Sequence, residues 1–153
     1  MTESPSTSDV LRLMLVEDLD DDAFFFQLAL EKACISATVT QFDNGIKALD
    51  YLRANAPQRP PVDVIFLDLK LPGIDGFDIL KWIGQQNFIP PLRVVVMSGS
   101  SQQVDISQAR ELGVREYIVK PVQSESLKAL LADGAAETHT ALFRRAESLA
   151  LEP

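Results

Sequence analysis

Three acidic residues stand directly after apolar segments, at positions that could bring them into one site. Glu17 and Asp18 follow the apolar run at 13–16, and Asp68 follows a second apolar run at 62–67. Carboxylates that crowd together raise one another's pKa values unless a cation neutralises them. A few carboxylates, a carbonyl oxygen and retained water are the ligands that Mg²⁺ prefers. The pattern therefore predicts a site for a divalent cation.

Two residues that can bind charged oxygen atoms occupy comparable places in the chain. Ser98 follows the apolar run at 92–97, and Lys120 follows the short segment at 116–119. In open α/β sheets, ligands bind beyond the carboxyl ends of the strands, where the winding of the sheet reverses. We therefore expect this hydroxyl group and this ammonium group to flank the three carboxylates.

A second acidic group follows the first pair. Asp20, Asp21 and Asp22 begin a segment at 20–34 whose pattern predicts a helix. Negative charge in the first turn of a helix interacts favourably with the helix dipole, by roughly 0.3–1 kcal/mol for each exposed residue. We assign these three residues to the start of the helix and not to the cation site.

The elements that would position these residues alternate along the chain. Strands are predicted at 11–16, 37–42, 62–67, 92–97 and 116–119, and helices at 20–34, 44–54, 75–86, 101–112 and from 123. This alternation indicates parallel pairing through crossover helices, and hence a sheet that is covered on both faces. The predicted fold is α/β, a doubly wound five-stranded parallel sheet in the flavodoxin-like order 2-1-3-4-5, with an extra C-terminal helix.

The composition indicates one acidic globular domain. The chain has 153 residues and a formal net charge of −8. That charge disfavours binding to DNA or to an anionic membrane, since both attract basic surfaces. The single cysteine, Cys34, cannot form an intrachain disulfide, which fits a cytoplasmic location. Because it ends an apolar helix, we interpret it as a small core residue.

Three segments are predicted along the chain. Residues 1–9 are polar and rich in Ser and Thr, and are expected to form a flexible leader. Residues 10–132 form the domain, and the apolar spacing within 133–153 predicts a helical C-terminal extension. This extension is expected either to pack on the domain or to mediate a homodimer. His139 lies in it, and is not assigned a phosphohistidine role because a lone histidine lacks a positioned partner.

Four motifs together resemble the receiver domain of two-component response regulators: V-E-D at 16–18, L-D-L-K-L-P-G-I-D-G-F at 67–77, M-S-G-S at 97–100 and Y-I-V-K-P at 117–121. The resemblance implies that Asp68 is the phosphoacceptor, whose carboxylate attacks phosphorus to give an acyl phosphate. It also implies that Asp18, Asp68 and the backbone carbonyl of Lys70 bind Mg²⁺, while Glu17 acts through a bound water.

The same resemblance implies roles for three further residues. Ser98 would hydrogen-bond one phosphoryl oxygen, and the ammonium group of Lys120 would pair with another. Tyr117 matches the aromatic switch position, where the side chain moves into the space that Ser98 leaves on phosphorylation. Lys120–Pro121 resembles the cis peptide of the family.

The function implied is that of a single-domain response regulator. It would accept a phosphoryl group from a partner histidine kinase onto Asp68 with Mg²⁺, and signal by phosphorylation-dependent protein contacts or by phosphorelay. Such a protein is not an enzyme, although it assists its own phosphotransfer and dephosphorylation. The expected partner is a sensor histidine kinase or a phosphotransfer protein. The stretch D-N-G-I-K-A-L-D-Y-L at 43–52 resembles stand-alone receivers that partner phytochrome-type kinases.

Three alternative functions were weighed against the residues. A Mg²⁺-dependent phosphatase of the haloacid-dehalogenase type would carry an acid two residues after its nucleophile, where this chain has Lys70. A degenerate receiver that acts only as a binding module is disfavoured because every charged residue of the site is present. A flavin-binding protein would need a Ser/Thr/Gly-rich loop at 17–22, where this chain is acidic.

Phe24, Phe25 and Phe26 form the least ordinary part of the first helix. Successive helical residues point about 100° apart, so one narrow face cannot bury all three. Either core and neighbouring helices bury a wide face, which we favour, or some of the rings form an exposed docking surface for a kinase. Trp82 is expected to be half-buried.

Overall fold

Ten alternating strands and helices make up the part of the chain that the computed structural model describes, residues 10–99 and 103–132. Their bounds are β1 Leu11–Val16, α1 Asp20–Lys32, β2 Ala37–Phe42, α2 Gly45–Asn55, β3 Val64–Asp68, α3 Gly76–Gly84, β4 Arg93–Ser98, α4 Gln103–Glu111, β5 Glu116–Val119 and α5 Ser124–Leu131. The strands form one sheet in the order β2-β1-β3-β4-β5, and every pair is parallel. The predicted fold class and strand order are confirmed.

The register of the sheet brings the strand ends together. Val16 at the end of β1 pairs with Leu67, and Asp68 pairs with Met97 of β4. Ser98 in turn pairs with Val119 of β5. Because all strands run in the same direction, residues that follow them lie along one edge of the sheet. Below, we call this the carboxyl edge.

The core lies on both faces of the sheet. Alternate residues of one strand point to opposite faces, so Leu15 of β1 packs on one side and Met14 on the other. On the first face Phe26 of α1 meets Phe66 of β3 edge to face, with ring centroids 4.8 Å apart. Helices α1 and α5 cover this face, while α2, α3 and α4 cover the other. Burial on both faces explains why β3 is apolar along its length.

The loop between β3 and α3 is fastened at both of its ends. The Gly76 N–H donates to the Leu69 carbonyl oxygen at 2.9 Å. A side chain at Gly76 would have its Cβ only 2.5 Å from the backbone oxygen of Asp68, so this close approach requires glycine. Asp75 and Asp78 then form a reciprocal capping box that starts α3. These contacts hold the loop tightly against the end of β3.

Helix α1 is shorter than predicted, and the interpretation of Cys34 is wrong. The helix ends at Lys32, and Cys34 adopts a φ of 56°, in the left-handed region. Its N–H donates to the Glu31 carbonyl oxygen, so the chain turns there towards β2. The turn leaves the Cys34 side chain exposed instead of in the core. An apolar pattern cannot reveal such a turn, because left-handed backbone is uncommon outside glycine.

Other boundaries differ from prediction by one or two residues. Asn44 caps α2 from outside the helix, with its side chain accepting from the Lys47 N–H at 2.8 Å. Strand β3 begins at Val64, because the preceding Val62 N–H bonds to the Pro60 carbonyl oxygen in a turn. Trp82 is half-buried, as expected. None of the helices in the described ranges has the length and apolarity needed to cross a lipid bilayer.

A buried ion pair fastens the sheet at the edge opposite the carboxyl edge. Arg93 at the start of β4 donates two hydrogen bonds to Glu116 of β5, at 2.8 and 2.7 Å. It also donates to the Leu130 carbonyl oxygen of α5 at 2.6 Å. The Glu116 side chain is 1% exposed. One guanidinium group therefore joins two strands and a helix.

Replacing Glu116 with glutamine should destabilise the protein strongly. The substitution removes the negative charge that faces Arg93, whose side chain is 14% exposed, and breaking one side of a buried pair costs about 3–5 kcal/mol. We expect a fall of that size in the free energy of unfolding, measured by urea denaturation. Glu125→Gln is the matched control, because Glu125 is exposed and its ion pair with Lys128 is 3.7 Å long. Equal, small effects of both substitutions would contradict the anchoring role of the buried pair.

Candidate functional site

Glu17, Asp18 and Asp68 converge at the carboxyl edge of the sheet. Carboxylate oxygens of the three residues lie within 4.8 Å of one another. Glu17 and Asp68 are buried and Asp18 is half-buried. Asp18 and Asp68 line a cavity of 310 Å³ whose lining also includes Ser98 and Lys120. The structure thus brings together the five side chains that the strand ends predicted.

Backbone donors orient two of the three carboxylates. Asp68 Oδ1 accepts a hydrogen bond from the Lys70 N–H at 3.0 Å. Glu17 Oε2 accepts from the Leu19 N–H at 3.4 Å. Both donors lie two residues beyond the acceptor, where the chain turns away from the strand. The tight strand-end turns therefore fix the direction in which each carboxylate points.

The ammonium group of Lys120 is the cation of the site in this structure. Lys120 Nζ donates to Glu17 Oε1 at 3.0 Å, to Asp22 Oδ2 at 3.0 Å and to Asp68 Oδ2 at 3.2 Å. An ammonium group has three N–H donors, and each has a carboxylate to meet here. The side chain is only 11% exposed. One buried positive charge thus faces three negative ones.

The pKa values reflect this imbalance of charge. Burial, together with the neighbouring Asp68, raises the pKa of Glu17 to about 7 against the opposing influence of Lys120. Burial by itself would lower the pKa of Lys120, but hydrogen bonds to Asp22 and Glu17 outweigh it and raise that pKa. Glu17, Asp18 and Asp68 together offer three carboxylate groups whose oxygens lie within 4.8 Å of one another. An all-oxygen donor set of this kind fits Mg²⁺.

Ser98 and Tyr117 lie on the side of the site away from β1. Ser98 is buried at the end of β4, and its carbonyl oxygen accepts from the Lys120 N–H at 2.7 Å. Tyr117 is half-buried on β5 and pairs with Val96 of β4. The Lys120–Pro121 peptide is cis, as the resemblance implied. The loop after β5 is therefore joined to the end of β4 through backbone and not only through side chains.

Sequence reasoning missed two acidic residues of the site. Asp22 lies in the first turn of α1, as predicted together with Asp20 and Asp21, but its carboxylate also binds Lys120. Asp105, in the first turn of α4, lines the cavity. For Asp22 the local pattern indicated only a residue at the start of a helix, because its contact with Lys120 depends on how α1 packs on the sheet. For Asp105 no local pattern distinguishes it from a helix-start residue.

The three phenylalanines of α1 divide between core and surface. Phe26 is 1% exposed, whereas Phe24 is 62% and Phe25 is 43% exposed. The favoured interpretation, that core and neighbouring helices bury all three, is therefore wrong. Helix α5 contacts α1 along the face that carries Phe26, and so does not cover Phe24 and Phe25. No other element in the described residues covers these two rings. The rings of Phe24 and Phe25 are 5.9 Å apart and form one exposed aromatic pair.

The sequence matches the response regulator receiver domain family over residues 13–132. That match covers most of the chain, and the five-stranded order and the acidic site agree with it. The chain belongs to this family. The resemblance that the four motifs carried is confirmed.

Similar proteins come from several groups of organisms. A probable methanogenesis regulatory protein, FilR2, from Methanothrix harundinacea is 31% identical over 121 residues, covering 78% of each chain. The bacteriophytochrome response regulator RtBRR is 29% identical and superimposes with a TM-score of 0.69, covering 92% of this chain and 93% of its own. The phosphorylated cyanobacterial phytochrome response regulator RcpA is 31% identical with a TM-score of 0.68, covering 83% and 97%. The chain spans about half the length of several other curated relatives.

Mg²⁺ affinity should depend on pH through Glu17. With a pKa of about 7, this carboxyl group gains a proton as the pH falls. Protonation removes the negative charge that attracts the cation. Between about pH 8 and pH 6 we expect the apparent Mg²⁺ affinity to fall about tenfold, measured by titration calorimetry. Glu17→Gln should flatten this dependence, and Glu31→Gln, an exposed change in α1, should leave it intact. A profile that is already flat in the wild type would contradict the assignment.

Proposed function

We propose that the protein is a single-domain response regulator that accepts a phosphoryl group from a partner histidine kinase onto Asp68 and uses Mg²⁺. One observation carries the proposal. Asp68 is a buried carboxylate with one oxygen bonded to the Lys70 N–H and the other to Lys120 Nζ, and it faces a cavity shared with two further carboxylates. A nucleophile, a counter-cation and a cation-binding donor set thus occupy one small cavity.

The chemistry needs little beyond positioning and charge neutralisation. An oxygen of Asp68 attacks phosphorus, the O–P bond forms, and the bond from phosphorus to the donor imidazole breaks. Charge on the equatorial phosphoryl oxygens is the main quantity to be stabilised in such a transfer. Lys120 supplies one fixed positive charge beside the nucleophile, and the Ser98 hydroxyl supplies a donor on the other side.

Four groups would hold the metal ion: the carboxylates of Asp18 and Asp68, the backbone carbonyl of Lys70, and Glu17 through a water molecule. When bound, Mg²⁺ supplies positive charge to the phosphoryl oxygens. The convergence of Glu17, Asp18 and Asp68 within 4.8 Å supports this assignment.

Signalling is proposed to pass through Ser98 and Tyr117. When Ser98 bonds to a phosphoryl oxygen, Tyr117 moves into the space beside β4, and the face made by α4 and β5 changes. The half-burial of Tyr117 beside the end of β4 supports this, since the ring has both a packed side and a solvent side. To shift the protein almost completely from the inactive to the active state, the phosphoryl group must interact more favourably with the active state by about 5.5 kcal/mol. The output is then a phosphorylation-dependent protein contact or a further phosphoryl transfer.

The proposed partner is a cytoplasmic sensor histidine kinase or phosphotransfer protein, of the phytochrome type. Similarity to RtBRR and RcpA, both phytochrome response regulators, supports this choice. Phe24 and Phe25 lie on α1, shortly after its acidic first turn, and provide an exposed apolar surface next to the site. A homodimer through the extension remains a prediction. The extension, His139 and the leader at 1–9 lie outside the described residues.

Phosphorylation should require Asp68 and Mg²⁺. Intact mass after incubation with acetyl phosphate should show a gain of one phosphoryl group in the wild type with Mg²⁺ and none after chelation. Asp68→Asn should show no gain, because an amide is not a nucleophile at pH 7, while Asp50→Asn, an exposed change in α2, should behave as wild type. Phosphate on the Asp68→Asn variant would refute the assignment of the acceptor. So would an unmodified wild type after both acetyl phosphate and candidate kinases.

The aromatic pair on α1 should matter for the kinase and not for the chemistry. Phe24→Ala with Phe25→Ala removes exposed apolar area, and truncation of aromatic residues central to an interface typically weakens binding at least tenfold. We expect slower phosphotransfer from a phosphorylated kinase and unchanged phosphorylation by acetyl phosphate. Ile89→Ala is the control, since Ile89 is 89% exposed and lies in the loop before β4, at the opposite edge of the sheet. Equal effects of the two sets of changes on the kinase reaction would exclude this docking surface.

A further inference from the structure

Asp22 stands apart from the other partners of Lys120. Glu17 and Asp68 both accept hydrogen bonds from the ammonium group, and both also belong to the three-residue cluster that could hold a metal ion. Asp22 contacts the ammonium group at 3.0 Å, but within the described residues it does not belong to that cluster. A metal ion at the cluster would therefore share two of these three partners of Lys120, and would not share Asp22.

A divalent cation at the cluster would change the balance of forces on Lys120. The charge of such an ion would attract Glu17 and Asp68 and repel the ammonium group, because charges a few ångströms apart interact strongly in a partly buried site. Asp22 lies outside the cluster, so its attraction for the ammonium group would not be shared with the ion. Among the described partners of Lys120, Asp22 would therefore keep the strongest hold on the ammonium group when the metal site is filled.

The position of Asp22 is well fixed by the fold. It is the third residue of α1, in the first turn, and its side chain is 23% exposed. Phe26, one turn later, lies on the same face of the helix and packs its ring against Phe66 of β3. The core contact of Phe26 therefore sets the rotation of α1 that turns Asp22 towards Lys120.

We propose that Asp22 is a positioning residue for Lys120, one that keeps the ammonium group directed at the phosphoryl group on Asp68 while Mg²⁺ occupies the acidic cluster. The proposal rests on the proposed function, because it gives Lys120 the role of pairing with a phosphoryl oxygen. Asp22 itself touches neither the phosphoryl group nor the metal ion. Its effect must pass through Lys120.

The test uses three aspartate variants, the Lys120→Ala variant, and the double variants that combine each aspartate change with Lys120→Ala. Asp22→Ala removes the charge and the acceptor, and Asp22→Asn removes the charge but keeps an acceptor oxygen. Asp21→Ala is the matched control, because it removes the same charge from the same helical turn at an exposed position. Urea unfolding of each variant, with and without Mg²⁺, gives the coupling between residues 22 and 120 from a double-mutant cycle.

In the unfolding experiments we expect coupling between Asp22 and Lys120 that persists or grows when Mg²⁺ is added. Asp21→Ala should show no coupling with Lys120→Ala. Coupling that disappears on addition of Mg²⁺ would overturn the proposal. This measurement needs no phosphoryl chemistry. It therefore tests the interaction of Asp22 with Lys120 even if the wild type fails to accept phosphate and the proposed function is refuted.

The rate of phosphorylation by acetyl phosphate gives the second readout. Asp22→Ala should slow the reaction about tenfold, as expected for loss of one charge-assisted contact, and Asp22→Asn should recover part of the loss. On the Lys120→Ala background, Asp22→Ala should cause no further loss. If Asp22→Ala behaves like Asp21→Ala, or slows the reaction equally on both backgrounds, Asp22 does not act through Lys120 and the proposal is wrong.

Discussion

Negative charge gathered at one edge of a parallel sheet is the constraint on which the site depends. Glu17 and Asp68 are buried side by side, and burial of like charges is unfavourable unless a cation is near. Lys120 provides that cation from β5, two strands away from Asp68 in the sheet order. This ammonium group joins the ends of β1 and β3 to the loop after β5. A ligand that binds the carboxylates therefore alters contacts along the whole carboxyl edge.

The rest of the fold keeps this edge from rearranging. The reciprocal cap at Asp75 and the close approach of Gly76 hold the loop after β3 against the end of the strand. At the opposite edge Arg93 and Glu116 join β4, β5 and α5 through a second buried ion pair. A tightly packed core lies between these two charged edges. Ser98 at the end of β4 and Tyr117 on β5 belong to the two strands of the sheet farthest from β2.

Helix α1 connects the chemistry with the surface. Its inward face carries Asp22, which binds Lys120, and Phe26, which packs in the core. Its outward face carries Phe24 and Phe25, which are exposed. In the proposed function, a partner docked on the outer face would contact the same helix whose inner face binds Lys120. Kinase recognition and phosphoryl chemistry would then lie within two helical turns of each other.

The order of strands and helices and the five side chains at the strand ends were predictable from the sequence, because hydrophobic periodicity is a local property and the alternation of strands with helices implies parallel pairing. The sequence could not show that Asp22 turns towards Lys120, since that depends on the rotation of α1 set by packing of Phe26. Nor could it show which phenylalanines face solvent, or that Cys34 lies in a left-handed turn. Local pattern determines which elements form, whereas the packing of helices on the sheet decides which face of each element meets the site.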